Sequence, residues 1–526
     1  MKTLTRAWPA LPAIAVLVFL LLRLAFDQSG YFPASFTSAG AIAFIALALL
    51  VVYPARARLS TPALVAIGAL AAFACWTGLS RAWSVVPDVP LLDMQRAMLY
   101  VALFGLALLA ADSGRNARLV VWCVLAVIVV IAGAGLLSRL QPGLVSSTGD
   151  ALTRSIYRLD HPFGYWNALG ALASIGAVLA VGLAADARSN LVLRAAAAGG
   201  AVLLVVAMYL SLSRGAWLAL ILGVVVLLAI APKRWSVLLT LMIVGAAGAV
   251  AIVRLGSYPA LVLDPKAGSG QATQGAAFTR ELLALVLLTL AAQAVLAAVG
   301  VGARLESRMQ AIRRIALLAG AVVVVVALVA GYVAKGGEAE GGVTTAVNDA
   351  TDWLDRQWRD FLDPTTVPEA GTARLLTAKG SRSDVFRVAI DGFEAHPLIG
   401  EGAGSYEVRH ARDRGTGEKV RDAHSLPLQT LSELGAAGML LLLAFFGAIA
   451  VTARRALAGR GAIRSAEAAA VIAAFAVWLG HACVDWDWEM PALTGTALVL
   501  SATLFARGRR RRSRGRRVGH GAVAAG

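Results

Sequence analysis

The sequence predicts an all-α protein: a polytopic transmembrane helical bundle of about 12–14 spans, with one large extracytoplasmic loop that contains short helices. The chain of 526 residues is 59% hydrophobic and only 15% charged. Its apolar residues recur in blocks of about 16 to 22, which as helices can cross roughly 30 Å of hydrocarbon. One polar connection, residues 335–433, is much longer than the others. These observations together predict the fold class.

Fourteen spans are expected in order along the chain. They lie near residues 11–26, 40–54, 62–79, 97–111, 119–137, 166–185, 195–211, 216–231, 236–253, 281–301, 315–334, 434–452, 465–482 and 490–506. The start of the chain has the basic head and apolar stretch of a signal peptide but no small-x-small cleavage site. We therefore interpret it as a retained signal anchor.

The spans divide the chain into four regions. These are the N-terminal transmembrane helices (1–334, about 11 spans), the large extracytoplasmic loop (335–433), the C-terminal transmembrane helices (434–506, about 3 spans) and a basic cytoplasmic tail (507–526). With both termini in the cytoplasm, the inner loops and tails hold 26 Lys and Arg, whereas the short outer loops hold 9. Because basic residues accumulate on the cytoplasmic side, this orientation is favoured.

The net charge of +17 follows from this distribution and does not indicate nucleic-acid binding. The tail "RGRRRRSRGRR" is typical of an anchor on anionic lipid heads, so membrane lipids are expected partners and nucleic acid is not. Only three cysteines occur, namely Cys75, Cys123 and Cys483. They form neither a disulfide framework nor a zinc-ligand pattern, and no metal site is expected.

The long loop contains patterns of short helices. The stretch "AVNDATDWLDRQWRDFLD" predicts an amphipathic helix at the membrane surface. In "SRSDVFRVAIDGFEA", Phe386, Ala389, Ile390 and Phe393 share one helical face, which Arg382 continues. "HPLIGEGAGSY" ends that helix with Pro and glycines, and its "GEGAGS" is interpreted as a turn. "DAHSLPLQTLSELG" then enters the next span.

Two arginines indicate an anion site. Arg214, in "MYLSLSRGAWLALILG", lies in a tight outer turn between two spans, and Arg382 lies in the long loop. Guanidinium groups bind phosphate oxygens through forked, charge-assisted hydrogen bonds, and two of them can hold a pyrophosphate. Arg214 taken alone could also be an interface arginine with its stem in the apolar region.

His424 is the candidate general base. Imidazole titrates near neutral pH and can remove a proton from a hydroxyl group. The alternative is a histidine that caps the following helix, where His424 or Ser425 lies near the cap and Pro427 in the first turn. Glu433 is nine residues further on and does not share the same helical face.

Further substrate-binding candidates lie at the same predicted membrane face. They are His161, Tyr165, Asn167, Arg387, Glu433, Asp485, Trp486 and Asp487. The carboxylates of "DWDWE" could ligate a cation or accept hydrogen bonds from sugar hydroxyls, or its tryptophans could belong to the aromatic belt. Asn167 could cap its span. His396 is assigned a structural role beside Pro397.

The order of these motifs resembles a known family. "HPFGYWNALG", then "SLSRGAW", then "SRSDVFRVAIDGFEAHPLIGEGAGSY" in a large outer loop, then "AHSLPLQTLSELG" entering a late span is similar to the O-antigen ligase and polymerase superfamily of bacterial membrane glycosyltransferases. The similarity covers roughly residues 150 to 500. By position, Arg214, Arg382 and His424 match the family's two arginines and its acceptor-activating histidine. Family members usually have Asn after that histidine, where this chain has Ser425.

The resemblance implies transfer of a glycan from an undecaprenyl-pyrophosphate carrier to a hydroxyl of a glycan, lipid or protein acceptor, in cell-surface polysaccharide biosynthesis. It implies inversion at the anomeric carbon, no cofactor or required metal, and a multi-pass protein of the bacterial inner (plasma) membrane with an extracytoplasmic active site. Repeat-unit polymerisation and protein O-glycosylation stay open within this class.

A non-enzymatic flippase of lipid-linked glycans, or a polysaccharide exporter, is the alternative outside it. Such a protein would need basic residues inside its spans, and among the predicted spans only Arg23 is of that kind.

Overall fold

The fold is described from a computed structural model. It describes residues 10–52, 59–144, 158–262, 270–300, 343–363 and 379–507, together with six single positions between 302 and 377. Within these ranges the chain is helical and contains no β-strand, as the sequence predicts.

The N-terminal part is a series of helices joined by short turns. They are α1 (Ala10–Phe26), α2 (Pro33–Val52), α3 (Thr61–Leu79), α4 (Val89–Ala110), α5 (Gly114–Leu140), α6 (Trp166–Ala185), α7 (Leu191–Leu210), α8 (Arg214–Ile230), α9 (Arg234–Leu255), the short α10 (Pro259–Val262) and α11 (Gln271–Val299). Polar side chains start several of them. Ser60, Ser113, Asn190 and Ser213 each accept a hydrogen bond from a backbone N–H in the first turn of the helix that follows.

The C-terminal part contains the long loop and the last membrane helices. The helices are α12 (Val343–Leu362), α13 (Arg382–Ala395), α14 (Ser405–Asp413), α15 (Leu426–Leu457), α16 (Ser465–Ala482) and α17 (Pro491–Ala502). Helix α15 begins as expected, with Ser425 as its N-cap and Pro427 in its first turn.

Ten helices in the described ranges are long and apolar enough to cross a membrane, and three more apolar helices are shorter: α1, α8 and the helical stretch that starts at Pro491. Each predicted span therefore coincides with an apolar helix, except 315–334, which lies outside the described residues. The protein is a polytopic helical membrane protein. Predicted and observed boundaries differ most at α11, which begins at Gln271 rather than near 281, and α4 also begins early, at Val89 rather than near 97.

The observed bounds of α4 and α5 correct the expectation that Arg23 is the only basic residue in a membrane helix. Arg23 is not the only basic residue inside a membrane helix, because α4 contains Arg96 and α5 contains Arg139, both buried. Each lies within about seven residues of a helix end. Burying a charged side chain there costs less free energy than at the middle of the membrane. Arg96 pairs with Asp93 and Arg139 donates to the Leu261 carbonyl.

Helix α6 forms the centre of the bundle. All its residues from Ala168 to Ala185 are buried, and α5, α7, α8, α9 and α16 contact it. Small side chains make this possible: a Cβ added to Gly182 would lie 2.5 Å from Cβ of Ala470 on α16. The outer helices α2, α9 and α11 expose large apolar side chains such as Leu49 and Val253, as expected for surfaces that face lipid.

Helix α15 is broken where the long loop meets it. Gly435 has φ 64° and ψ −166°, which are not helical. The backbone N–H groups of Glu401 and Gly402 donate to the carbonyls of Ser432 and Glu433, and those of Ala436 and Ala437 donate to Pro397 and Leu398. The turn containing "GEGAGS" is thus bonded to both sides of the break. It has left-handed φ at Gly400, Gly402 and Gly404, in agreement with its interpretation as a turn.

The loop helices form a small core of their own. Val385, Val388 and Ala389 of α13 pack with Tyr406 of α14 and with Ala423. The buried face of α13 therefore differs from the predicted one, because Ile390 is 44% exposed and Phe386 only partly buried. The phenyl ring of Phe386 faces that of Phe361 in α12, with a centroid distance of 6.3 Å.

Candidate active site

The carboxylate of Asp485 is the centre of a hydrogen-bond cluster at one end of the bundle. It lies in the turn between α16 and α17 and is 2% exposed. Its oxygens bind His424 Nδ1 at 2.9 Å, the Tyr165 hydroxyl at 3.0 Å, Asn167 Nδ2 at 2.7 Å and Arg382 Nη2 at 3.3 Å. We call these five residues the Asp485 cluster. Four separate segments of the chain meet there.

The geometry assigns the proton on His424. A carboxylate only accepts hydrogen bonds, so Nδ1 of His424 carries the proton and donates to Asp485. Nε2 then keeps its lone pair and can accept a proton. The residue has φ 50°, immediately before the N-cap Ser425, and this left-handed conformation turns the chain sharply into α15. His424 is therefore fixed both by its backbone and by its partner, and its side chain is 19% exposed.

Asp485 stays ionised in this setting. Burial alone would raise its pKa, but the charge of Arg382 and the hydrogen bond from His424 lower the pKa well below the ordinary value of an aspartate. Burial and the nearby Asp485 charge raise the pKa of Tyr165, which keeps its hydroxyl as a donor. Arg382 also donates to the Val484 carbonyl, so it contacts the first residue of "DWDWE" and the residue before it.

Trp486 adds an aromatic wall to the cluster. Its ring contacts Tyr165 at a centroid distance of 4.9 Å, Tyr31 at 5.3 Å and His424 at 5.8 Å, in each case edge to face. An aromatic side next to hydroxyl-binding groups is a common way to stack on sugar rings. The hydrogen bonds of Asp485 support a further role for "DWDWE", the positioning of other side chains. This role was not among the alternatives that the sequence indicated.

Arg158 joins two of the motifs and was not predicted. It is 5% exposed. Its Nε donates to the Ser211 carbonyl at 2.7 Å, and its Nη2 donates to the Leu212 carbonyl and to Asn167 Oδ1. It therefore ties the turn before Arg214 to the Asp485 cluster through Asn167. A lone arginine before "DHPFGYWN" gave no signal of this role.

Arg214 begins α8, as the tight turn predicted. Its guanidinium donates to the carbonyls of Thr377 and Lys379, the segment that leads into Arg382. A Cβ on the adjacent Gly215 would lie 3.7 Å from Val484, whose carbonyl binds Arg382. The two arginines thus belong to one neighbourhood, at the same end of the bundle as His424.

A second histidine–aspartate pair lies beside the cluster. His481 Nδ1 is 2.8 Å from Asp487, and both side chains are fully buried. A Cβ on Gly215 would lie 3.0 Å from His481 Nε2. Asp487 therefore contacts a histidine, as Asp485 does, but this histidine is His481 and not a member of the Asp485 cluster. His481 was not predicted, because it falls inside an apolar span.

A small polar cavity is lined by Asp422, two residues before His424 in the chain. It has a volume of about 20 Å³, room for about one water. Charged side chains line most of it: Asp93, Arg96, Glu407, Arg421, Asp422, Glu433 and Glu489. Burial, and then the neighbouring charge of Asp422, raise the pKa of Glu489 well above its ordinary value. The cavity therefore places several carboxyl groups and the guanidinium groups of Arg96 and Arg421 around one small space.

Besides Asp487, three predicted substrate-binding residues do not bond to the cluster. Glu433 accepts from the backbone N–H groups of Gly404 and Tyr406 and lines the polar cavity. Arg387 pairs with Asp384 and Asp391 on the outer surface of α13. The side chain of His161, half-buried in the turn before α6, makes no hydrogen bond to the described residues of the cluster, and burial lowers its pKa.

In the described ranges, no group of three or more His, Cys, Asp or Glu side chains is arranged to hold a metal ion. The chemistry that the cluster itself offers is proton transfer at His424 and anion binding by guanidinium groups.

Comparison with known proteins agrees with the motif order. Residues 278–443 match the O-antigen ligase family. The match contains Arg382 and His424, whereas Arg214 and Asp485 lie outside it. A search of curated proteins found no match to the chain. The match confirms the resemblance to the O-antigen ligase and polymerase superfamily over residues 278–443 of this membrane protein.

Proposed function

We propose that the protein transfers a glycan from an undecaprenyl-pyrophosphate carrier to an acceptor hydroxyl, at the extracytoplasmic face of a bacterial inner membrane. The family match supports a membrane glycosyltransferase of the O-antigen ligase or polymerase type in polysaccharide biosynthesis. The carrier, the acceptor and the membrane face belong to the proposal, with both termini in the cytoplasm.

The contact that carries the proposal is the shared carboxylate. Asp485 binds His424 with one oxygen and Arg382 with the other, which brings a base and an anion-binding cation to within a few ångströms of each other. A base and a cation so close suit a reaction in which a hydroxyl loses its proton while a negatively charged group departs.

The reaction is a direct displacement. His424 Nε2 takes the proton of the acceptor hydroxyl, whose oxygen forms a bond to the anomeric carbon. The bond between that carbon and the pyrophosphate oxygen breaks, and its electron pair leaves with the undecaprenyl pyrophosphate. Attack opposite the leaving group inverts the anomeric configuration. Asp485 stabilises the imidazolium that forms, as a buried carboxylate does for other catalytic histidines.

The arginines hold the leaving group. Arg382 and Arg214 neutralise the charge that develops on the pyrophosphate, an electrostatic contribution of several kcal/mol in favourable cases and on the order of 2.7–4 kcal/mol for a single donor. No metal ion is needed for this step in the proposal. Tyr165, Asn167 and Trp486 are proposed to contact sugar hydroxyls and rings, since hydroxyl, amide and aromatic groups suit such ligands.

The test is transfer by the purified protein in detergent, with undecaprenyl-pyrophosphate glycan and a hydroxyl acceptor. His424→Ala should reduce the transfer rate by at least about 10²-fold, because general base catalysis contributes factors of this size. His396→Ala is the matched control, since His396 is 57% exposed and outside the cluster. Its rate should stay within twofold of the wild type. Full transfer by His424→Ala would refute the assigned base.

The same assay distinguishes the enzyme from a flippase. A flippase moves the lipid-linked glycan across the bilayer and forms no new glycosidic bond, so no product would accumulate in detergent, where no bilayer exists. A product that contains two joined repeat units would identify a polymerase, whereas a glycan on a lipid or protein acceptor would identify a ligase or a protein glycosyltransferase.

A further inference from the structure

A second cavity lies at the opposite end of the bundle from the Asp485 cluster. It is framed by the end of α6, the end of α8, the start of α9 and the start of α16, and its volume is about 170 Å³. Helix α6 begins beside the Asp485 cluster and α16 ends beside it, so their other ends lie a membrane-helix length away. The cavity is therefore separate from the proposed reaction.

One group of charged residues beside this cavity is balanced. Arg464 pairs with Asp186 at 2.9 Å and also with Glu467, which Arg118 contacts at 2.9 Å. Within this group of four, two positive charges meet two negative charges.

Two further cations line the cavity: Arg188 and Lys233, which are exposed at its mouth. No carboxylate pairs with either side chain in the described residues. In addition, Nε of Arg464 is buried without a hydrogen-bond partner. An unused donor and two unpaired cations indicate an anionic ligand.

The wall of the cavity is apolar. Leu227 of α8, Val237 of α9 and the alanines of the surrounding helix ends form it. The two outer helices that frame the cavity also expose apolar side chains along their lengths, including Leu222 and Val225 on α8 and Met242 on α9. A cationic mouth above an apolar wall, at the end of membrane helices, fits a ligand with a charged head and a hydrocarbon tail.

The start of α16 adds a weaker contribution. Ser465 and Ala466 line the cavity from the first turn of this helix, where backbone N–H groups and the helix dipole favour negative charge.

We propose that this cavity binds the phosphate headgroup of an anionic membrane phospholipid, with Arg188 and Lys233 on the phosphate oxygens and acyl chains along α8 and α9. The ligand is structural: it fills the space between four helix ends and is not a substrate of the transfer reaction.

The experiment measures lipid binding to the full-length protein in neutral detergent. Short-chain phosphatidylglycerol is titrated, phosphatidylcholine is the uncharged-headgroup comparison, and inorganic phosphate tests whether a free anion is sufficient. The variant Arg188→Gln/Lys233→Gln removes two cations from the cavity mouth. The control Arg454→Gln/Arg455→Gln removes two exposed cations from the end of α15, at the same end of the bundle but outside the cavity.

We expect phosphatidylglycerol to bind at least tenfold more tightly than phosphatidylcholine, and the cavity variant to lose about tenfold in affinity while the control loses less than twofold. Equal losses in both variants would show a diffuse charge effect and overturn the proposal. So would an absence of preference for phosphatidylglycerol, or an affinity for inorganic phosphate equal to that for the lipid. All four substituted residues are exposed, so each variant is expected to fold. A melting temperature equal to that of the wild type verifies this.

Discussion

Asp485 illustrates how a single side chain can organise a site. Its carboxylate receives hydrogen bonds from a histidine, an arginine, a tyrosine and an asparagine. A buried carboxylate is costly unless it is paired and hydrogen-bonded, and here several donors meet that requirement. Because its pKa is held below the ordinary value, it remains an anion at every pH where the protein is expected to work.

Replacing this carboxylate tests its role as the orienting group. Asp485→Asn keeps the size of the side chain but removes the charge that stabilises the imidazolium, so we expect the transfer rate to fall by about 10²- to 10⁴-fold. Asp391→Asn, on the outer surface of α13, is the control, with a rate near that of the wild type. A similar rate for both variants would mean that His424 does not depend on Asp485.

His410 predicts a pH dependence of stability. Its ring is 1% exposed, neither nitrogen has a hydrogen-bond partner in the described part of the chain, and burial lowers its pKa. Asp384 acts in the opposite direction and Arg414 in the same one. Between the lowered pKa and the ordinary value of 6.5, the unfolded state binds a proton that the folded state does not, so this stability is full above 6.5 and is lost as pH falls.

We therefore expect the melting temperature of the wild type to decrease from pH 7.5 to pH 5.5 more steeply than that of His410→Phe, which cannot titrate but can pack against Tyr406. Differential scanning fluorimetry in detergent measures both slopes. Parallel slopes would show that His410 does not contribute to the pH dependence.

At the scale of elements, the break in α15 is what connects the long loop to the membrane. The part before Gly435 carries the N-cap Ser425 and Glu433, and the part after it is the membrane helix. The loop backbone from Pro397 to Gly402 fills the gap with hydrogen bonds. His424 directly precedes the N-cap of this helix, so it lies in the segment that the loop backbone holds against the membrane helix.

Gly435→Ala tests this element. Its φ of 64° disfavours any side chain, and a Cβ would lie 2.5 Å from the Ile399 backbone nitrogen. We expect a loss of at least about 1–3 kcal/mol in stability from backbone strain alone, seen as a lower melting temperature, together with reduced transfer. Gly447→Ala in the same helix has open space around its Cβ and should be neutral or slightly stabilising. Equal melting temperatures for the two variants would contradict this account.

At the scale of the whole molecule, burial decreases from α6 outward and chemistry is concentrated at the two ends. The Asp485 cluster and the polar cavity lie at one end, and the ion-paired cavity around Arg464 lies at the other. In the described residues, the buried core of the bundle consists mainly of alanine, leucine and valine, which pack closely. This separation is expected when charges at mid-membrane are costly.

The predicted orientation can be tested by cysteine labelling in intact cells. In a variant with Cys75, Cys123 and Cys483 replaced by serine, Glu407→Cys should react with an impermeant maleimide from outside. Arg460→Cys should react only after permeabilisation, because its loop is predicted to be cytoplasmic. The reverse pattern would place the Asp485 cluster in the cytoplasm and exclude the proposed reaction with an outer-face carrier.

The sequence alone determined the fold class and the positions of the spans in the described chain. It could do so because hydrocarbon thickness sets the length of an apolar block, and each backbone polar group in lipid must be bonded within its own helix. Ser425 and Pro427 marked the start of α15, because a cap side chain and a proline in the first turn act locally. The order of its motifs also indicated the family and named His424, Arg214 and Arg382 as candidates.

Only the tertiary structure decided which side chains meet. Asp485 is 61 residues from His424, 103 from Arg382 and 320 from Tyr165, and Arg158 and His481 carried no motif at all. Helical periodicity relates residues three or four positions apart, whereas a hydrogen bond of 3 Å between distant segments depends on how helices pack and where turns cross. The partner of the histidine was therefore set by the packing of α6, α13, α15 and α16 around one buried carboxylate.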